Sequence, residues 1–193
     1  MKILGIYGSP RRGGNTALLL DEALRGAQEE GAETEKLVLR DLKISPCLEI
    51  YACKKDGRCV IKDDFLWISD KLAGADRIIL GSPVMFYNVS AHAKILIDRC
   101  QAFWVKKHDL KEPINPEKPD RRGYGICVGA TQGRRLFEGM LLTIRYFFDA
   151  LDVSFDRKQD VLLIRGVDEK GEVLEHPEML KQAYELGRHA VRK

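Results

Sequence analysis

Residues 1–16 constrain the fold more than any other stretch of the chain. Met1-Lys-Ile-Leu-Gly-Ile-Tyr7 is apolar and β-favouring, and it runs through Gly8-Ser-Pro-Arg-Arg-Gly-Gly-Asn-Thr16 into a leucine-rich helical pattern. A strand, a glycine-bearing loop and a helix start, in that order, open a βα unit. Gly8, Gly13 and Gly14 let the backbone turn sharply and approach a ligand, while Ser9, Asn15 and Thr16 set short polar side chains beside the free N–H groups of a helix N-terminus. An anionic head group suits that loop. Gly8-x4-Gly13 has the spacing of a Walker A loop, but Gly14 and Asn15 stand where Lys and Ser/Thr would hold phosphates and magnesium, which argues against an NTPase. Ser9-Pro10 after the first glycine also departs from the G-x-G-x-x-G of dinucleotide folds. What remains is a cradle for a phosphate monoester, against the plain alternative of a ligand-free βα turn.

The pattern then repeats. Leu20, Ala23, Leu24 and Ala27 share one face of a helix over 16–30, and 34–39 reads as a second strand. Residues 44–61, with Pro46, three cysteines and no sustained period, read as an excursion from the sheet. A helix over 65–72, a buried strand over 75–80 and a helix over 91–103 follow, the last two joined by Gly81-Ser-Pro-Val-Met-Phe-Tyr-Asn-Val-Ser90. A proline-bearing connection leads to a fourth strand over 124–128, the loop 129–133 and a helix over 136–151. A fifth strand over 161–167, a turn over 166–171 and a helix over 177–192 complete the chain.

Five strands alternating with helices predict an α/β fold, a three-layer sandwich with a five-stranded parallel sheet, and right-handed crossovers favour the order 2-1-3-4-5. In that order the loops beginning at Gly8, Gly81 and Gly129 meet at the carboxyl edge, at the topological switch point. Pro83, Val84, Met85, Phe86, Tyr87 and Asn88 offer flat, apolar surface and one amide, which fits a planar heterocycle.

At 193 residues, 45% of them hydrophobic, the chain is expected to form one domain over 1–193 with a cysteine-bearing insertion at about 44–62. The +3 net charge is the difference between 32 basic and 29 acidic side chains, unlike the concentrated basic field of a nucleic-acid binder. No signal peptide or spanning segment is read, so a cytoplasmic location is expected, and five cysteines there argue for thiols or metal ligands over disulfides.

The loop Gly8–Thr16, together with Ser82-Pro-Val-Met-Phe-Tyr-Asn-Val-Ser90 and Ile97-Asp-Arg99, resembles the NADPH-dependent FMN reductase family and its iron–sulfur flavoprotein relatives, over residues 1–165. The resemblance implies a flavodoxin-like fold, noncovalent FMN and a homodimer or homotetramer. Carried over, Ser9, Arg11, Asn15 and Thr16 would hold the phosphate, and Pro83, Val84, Met85, Phe86 and Asn88 would line the isoalloxazine and ribityl. Gly129, Ala130 and Gly133 would close the other side. An FMN-dependent oxidoreductase would take hydride from NAD(P)H and reduce a flavin, a quinone or a nitro or azo compound, with no side chain required as acid or base and no bound metal. The rivals are an electron-transfer flavoprotein serving a protein partner, and a binding module without cofactor. The aromatic pairs Phe86-Tyr87 and Phe103-Trp104 are expected to be shared across a two-fold interface.

The iron–sulfur branch carries four cysteines before its second helix; here Cys47, Cys53 and Cys59 stand in that stretch, and Glu49-Ile50-Tyr51 replaces the remaining one. Three thiolates leave a four-iron cluster short of a ligand, so FMN without a native cluster is expected. A three-thiolate zinc site completed by water or Asp63 is the geometric alternative. Lys54, Lys55 and Arg58 are expected to favour thiolate at Cys53 and Cys59.

Overall fold

The computed structural model describes residues 1–193. Its sheet has five parallel strands, β1 (Lys2–Tyr7), β2 (Glu33–Val38), β3 (Arg77–Pro83), β4 (Arg122–Gly129) and β5 (Val161–Arg165), in the order β2-β1-β3-β4-β5. This is the order expected from the alternation, and the fold is flavodoxin-like. The register sets Tyr7 beside Gly81, and Pro83 beside Val128, so the strand ends that launch the three loops lie side by side.

Strand alternation divides the core into two layers. In β1, Ile3 and Tyr7 enter one apolar cluster, and Leu4 and Ile6 enter the other. The first layer is covered by α1 (Asn15–Glu29) and α6 (Pro177–Arg192), which cross at small residues: Ala23, Gly26 and Ala27 on α1, and Ala183, Gly187 and Ala190 on α6, all buried. The second layer is covered by α2 (Phe65–Gly74), α3 (Ala91–Arg99), α4 (Gln101–His108) and α5 (Glu138–Ala150).

The single helix expected over 91–103 is two. α3 ends at Arg99, Cys100 has ψ near 1°, and α4 continues as far as His108. The Cys100 thiol donates to the Leu96 carbonyl at 3.3 Å, and the Cys100 N–H is divided between the Leu96 and Ile97 carbonyls, so the ladder is perturbed where the axis turns. The turn lets Ala102, Phe103 and Val105 face inward. Phe103 is therefore buried, and of the pair expected at an interface only Trp104 is exposed.

Candidate functional site

The phosphate-sized loop is built around groups that find no partner inside the protein. The N–H of Gly8 is used by the sheet, donating to the Gly81 carbonyl at 2.7 Å, and that of Arg11 donates to Ser9 Oγ at 3.2 Å. The N–H groups of Arg12, Gly13, Gly14, Asn15 and Thr16 donate to nothing, and α1 has Gly14 at its N-cap with no capping side chain. Gly13 sits at φ +59°, the left-handed conformation that lets consecutive N–H groups form a concave nest. Five free donors on a helix N-terminus, with the macrodipole behind them, can together bind an anion with several oxygens.

The side chains expected to serve this cradle divide. Ser9 and Thr16 are buried against it. The Asn15 carboxamide is occupied elsewhere: Nδ2 donates to the Glu169 carbonyl at 2.9 Å, and Oδ1 accepts from the N–H groups of Gly171 and Val173 at 3.0 and 3.2 Å. Asn15 can offer an anion only its backbone N–H; its side chain ties the cradle to the segment after β5. Arg11 Nη1 donates to the Asp168 carbonyl at 2.7 Å, which reinforces the same tie. Across the loop Arg40 donates to the Pro10 carbonyl at 2.5 Å, and Arg12 pairs with Asp41.

The second loop is a tight turn. Met85 and Asn88 exchange backbone hydrogen bonds at 2.8 and 3.0 Å around Phe86 and Tyr87, whose φ angles are +48° and +62°. This hairpin geometry normally takes Asn or Gly, and placing two aromatic residues there costs on the order of 1 kcal/mol each. The strained backbone holds Phe86 fully exposed and Tyr87 largely so, with their N–H groups unpaired. Pro83 and Val84 are half-buried below the turn, and Asn88 Oδ1 accepts from the Val89 N–H at 2.8 Å. Ser90 caps α3 by accepting from the Ala93 N–H, donates its hydroxyl to the Gly8 carbonyl, and gives its own N–H to Ser82 Oγ at 2.9 Å.

In the third loop Gly129 is buried and fits against Leu136, whose Cδ2 would lie 2.5 Å from an added Cβ. Ala130 and Gly133 are exposed, and the N–H groups of Ala130, Thr131, Gln132 and Gly133 are unpaired. The Val84 N–H donates to the Val128 carbonyl at 2.7 Å, and the Gly166 N–H donates to the Gly129 carbonyl at 2.9 Å. With Ser90 bonded to Gly8 and Asn15 bonded to the segment after β5, the hydrogen bonds close a ring of four loops around the carboxyl edge. The fourth, 166–173, is absent from the sequence-based site. Its glycines at 166 and 171, both at positive φ after a strand end, were the available signal.

The largest cavity, 780 Å³, lies elsewhere, between the cysteine segment and α3, α4 and α5, where Cys47, Cys53, Tyr51, Trp104 and Tyr146 line it. Arg99, buried beneath, anchors this segment. It pairs with Asp63 at 2.6 and 3.1 Å, and donates to the Ser45 carbonyl at 2.9 Å and to Cys59 Sγ at 3.3 Å. Burial alone would raise the Asp63 pKa, but Arg99 and the N–H groups of Ser45 and Phe65 outweigh it and hold the carboxyl below its usual range. Asp63 is thus committed to Arg99 and is not free to complete a zinc site. Cys53 is also unlike the expectation: burial, with the nearby Cys59 and Cys47, raises its pKa against a backbone hydrogen bond and the smaller pull of Lys54.

Residues 1–136 match the family model for NADPH-dependent FMN reductases. The chain belongs to that family. It is 52% identical over 132 residues to an iron–sulfur flavoprotein of Methanocaldococcus jannaschii, a match covering 68% of this chain and 64% of that protein, so the chain spans less than two thirds of that relative's length. It is 41% identical over 154 residues to an iron–sulfur flavoprotein of Archaeoglobus fulgidus, covering 79% of this chain and 75% of that protein. The fold superposes on an NAD(P)H:quinone oxidoreductase from Methanothermobacter marburgensis with a TM-score of 0.74 at 16% identity, over 98% of this chain and 95% of that one. No helix is long and apolar enough to cross a membrane.

The relatives' names raise the question of a cluster in this FMN reductase family member. A four-iron cluster takes four thiolates, and here Cys47, Cys53 and Cys59 are joined by an exposed Ile50, with the Cys59 sulfur already accepting from Arg99. Those residues do not fit a four-cysteine cluster.

Proposed function

We propose that the chain is an FMN-dependent oxidoreductase that draws reducing equivalents from a nicotinamide and delivers them to a small acceptor such as a flavin, a quinone or a nitro or azo compound. The observation that carries this reading is the uncapped nest, five consecutive unpaired N–H groups at residues 12–16, on the same edge as the strained aromatic turn. FMN supplies hydride and single-electron chemistry when bound.

The chain's residues supply binding and shape. The 12–16 N–H groups and Ser9 would take the phosphate, whose charge the α1 dipole favours. Pro83, Val84, Met85, Phe86 and Asn88 would line the planar ring, and the unpaired N–H groups of Phe86, Tyr87 and 130–133 are donors for its polar edge. Developing negative charge on a bound ring would be stabilised by such fixed dipoles without a titrating side chain. The exposed Phe86 ring offers a surface for a second planar molecule to enter and leave, as alternating use of one site by donor and acceptor requires. A homodimer or homotetramer belongs to the same proposal, supported by the exposure of Tyr51, Trp104, Leu142 and Tyr146 around the 780 Å³ cavity.

The relatives named iron–sulfur flavoproteins favour a second reading, electron transfer to a protein partner. Anaerobic stopped-flow mixing separates the two. NADPH or NADH should bleach the flavin absorbance at a rate on the order of 1 s⁻¹ or faster, within the usual range of enzyme turnover. Reduction by dithionite without reduction by either nicotinamide would favour the electron-transfer reading.

A further inference from the structure

The cradle is rich in dipoles, and charge reaches it from two sides. An FMN phosphate would carry up to two negative charges at neutral pH, so a cation is expected near it. Within the loop, Arg12 is spent on Asp41, while Arg11 pairs with no carboxylate and donates Nη1 to the Asp168 carbonyl of the segment after β5. Arg40 lies on the far side, bonded to the Pro10 carbonyl and within 3.4 Å of Asp41.

The segment after β5 approaches from the other direction. Asn15 binds it through three hydrogen bonds, and Glu172 stiffens it by accepting from the N–H groups of Asp168 and Glu169 at 2.7 and 2.9 Å, which commits that carboxylate to its own loop. Between these anchors stands Lys170. Its Cε lies 3.9 Å from where a side chain on Gly13 would begin, and its ammonium pairs with no carboxylate. Four bonds hold the backbone on either side of Lys170 to the cradle, three through Asn15 and one through Arg11, so its placement beside the nest is built in.

Resting on the FMN reading, we infer that the segment 168–173 is the second wall of the phosphate site and that Lys170 supplies it with a cation from outside the phosphate loop, beside Arg11. The segment lies beyond residue 136, where the match to the family model ends. It also gives the buried Asn15 side chain a purpose: the amide positions the lysine and leaves phosphate contact to the backbone.

Competition between FMN and riboflavin on the flavin-loaded protein, read by flavin fluorescence, isolates the phosphate contribution. Lys170→Gln should lower the preference for FMN over riboflavin about three- to tenfold, the range for one partly solvated cation on an anion, and should flatten its salt dependence. Lys170→Arg should restore most of it. An unchanged preference in Lys170→Gln, or an equal loss of both flavins, would overturn the inference while leaving the FMN reading intact. Wild-type protein that binds neither flavin, or that does not prefer FMN, would overturn the FMN reading and this inference with it.

Discussion

Replacing Gly187 by alanine is expected to cost about 3 to 5 kcal/mol of stability, because the added methyl would overlap backbone and not a side chain that could swing aside. An added Cβ would lie 1.7 Å from the Ala23 carbonyl oxygen across the α1–α6 crossing, and its counterpart at Gly26 would lie 2.2 Å from the Tyr184 carbonyl oxygen. Relief requires the helices to move apart by more than 1 Å at the crossing, roughly the difference to an ordinary carbon–oxygen contact, and the packing beside it loosens as well. Alanine's better helix propensity returns only about 1 kcal/mol. The pairs flanking the crossing, Glu30 with Arg188 and Arg192, are half-exposed and too weak to hold the helices together against the overlap. Urea unfolding should show a lower midpoint, and thermal unfolding a Tm lowered by roughly 6 to 20 °C. A change under 1 kcal/mol would mean that the helices do not cross this closely.

Gly14→Asp is expected to separate stability from cofactor binding. Gly14 is the N-cap of α1 at φ −78° and ψ 170°, angles that any residue adopts, and the nearest obstacle to a side chain is Arg11 Cβ at 3.1 Å, a tight contact that a small shift of the loop relieves. Aspartate there can accept from the free N–H of Thr16, the usual capping geometry, and should stabilise the helix by up to about 1 kcal/mol. The same carboxylate would take donors meant for the phosphate and repel it. Losing about two charge-assisted hydrogen bonds, each worth about 1.5 kcal/mol or more, weakens FMN on the order of 100-fold. Protein that is purified without flavin, yet folds with a Tm equal to or above that of flavin-free wild type, is the expected result. Full FMN occupancy in this variant would show that the uncapped helix is not the phosphate site.

Why some of this was legible in the sequence and some was not follows from the range of the interactions. The strand, loop and helix of residues 1–29 are encoded locally, in period and glycine placement, and the sheet order follows from alternation and crossover handedness; the cap expected at Asn15 or Thr16 is instead an uncapped Gly14. The break at Cys100 depends on a thiol reaching back along its own helix while Phe103 and Arg99 are drawn inward, which helical spacing over 91–103 does not reveal. Asn15 reads as a phosphate ligand from its position, and only the fold brings Glu169, Gly171 and Val173 to its amide from more than 150 residues away. At Cys53 the neighbouring lysines suggested a thiolate; burial beside two further thiols decides otherwise. Phe86 and Tyr87 were legible as apolar surface, but their left-handed backbone was not, because aromatic residues carry no such signal.

The central claim is that the nest at residues 12–16 holds the single phosphate of FMN. It is tested most directly by purifying the protein without oxygen, recording its visible spectrum and identifying the flavin released on denaturation. The account predicts flavin bands without broad iron–sulfur absorption, and FMN at about one per chain, as one nest per chain requires. Released FAD, or a colourless protein that takes up no FMN, would contradict it.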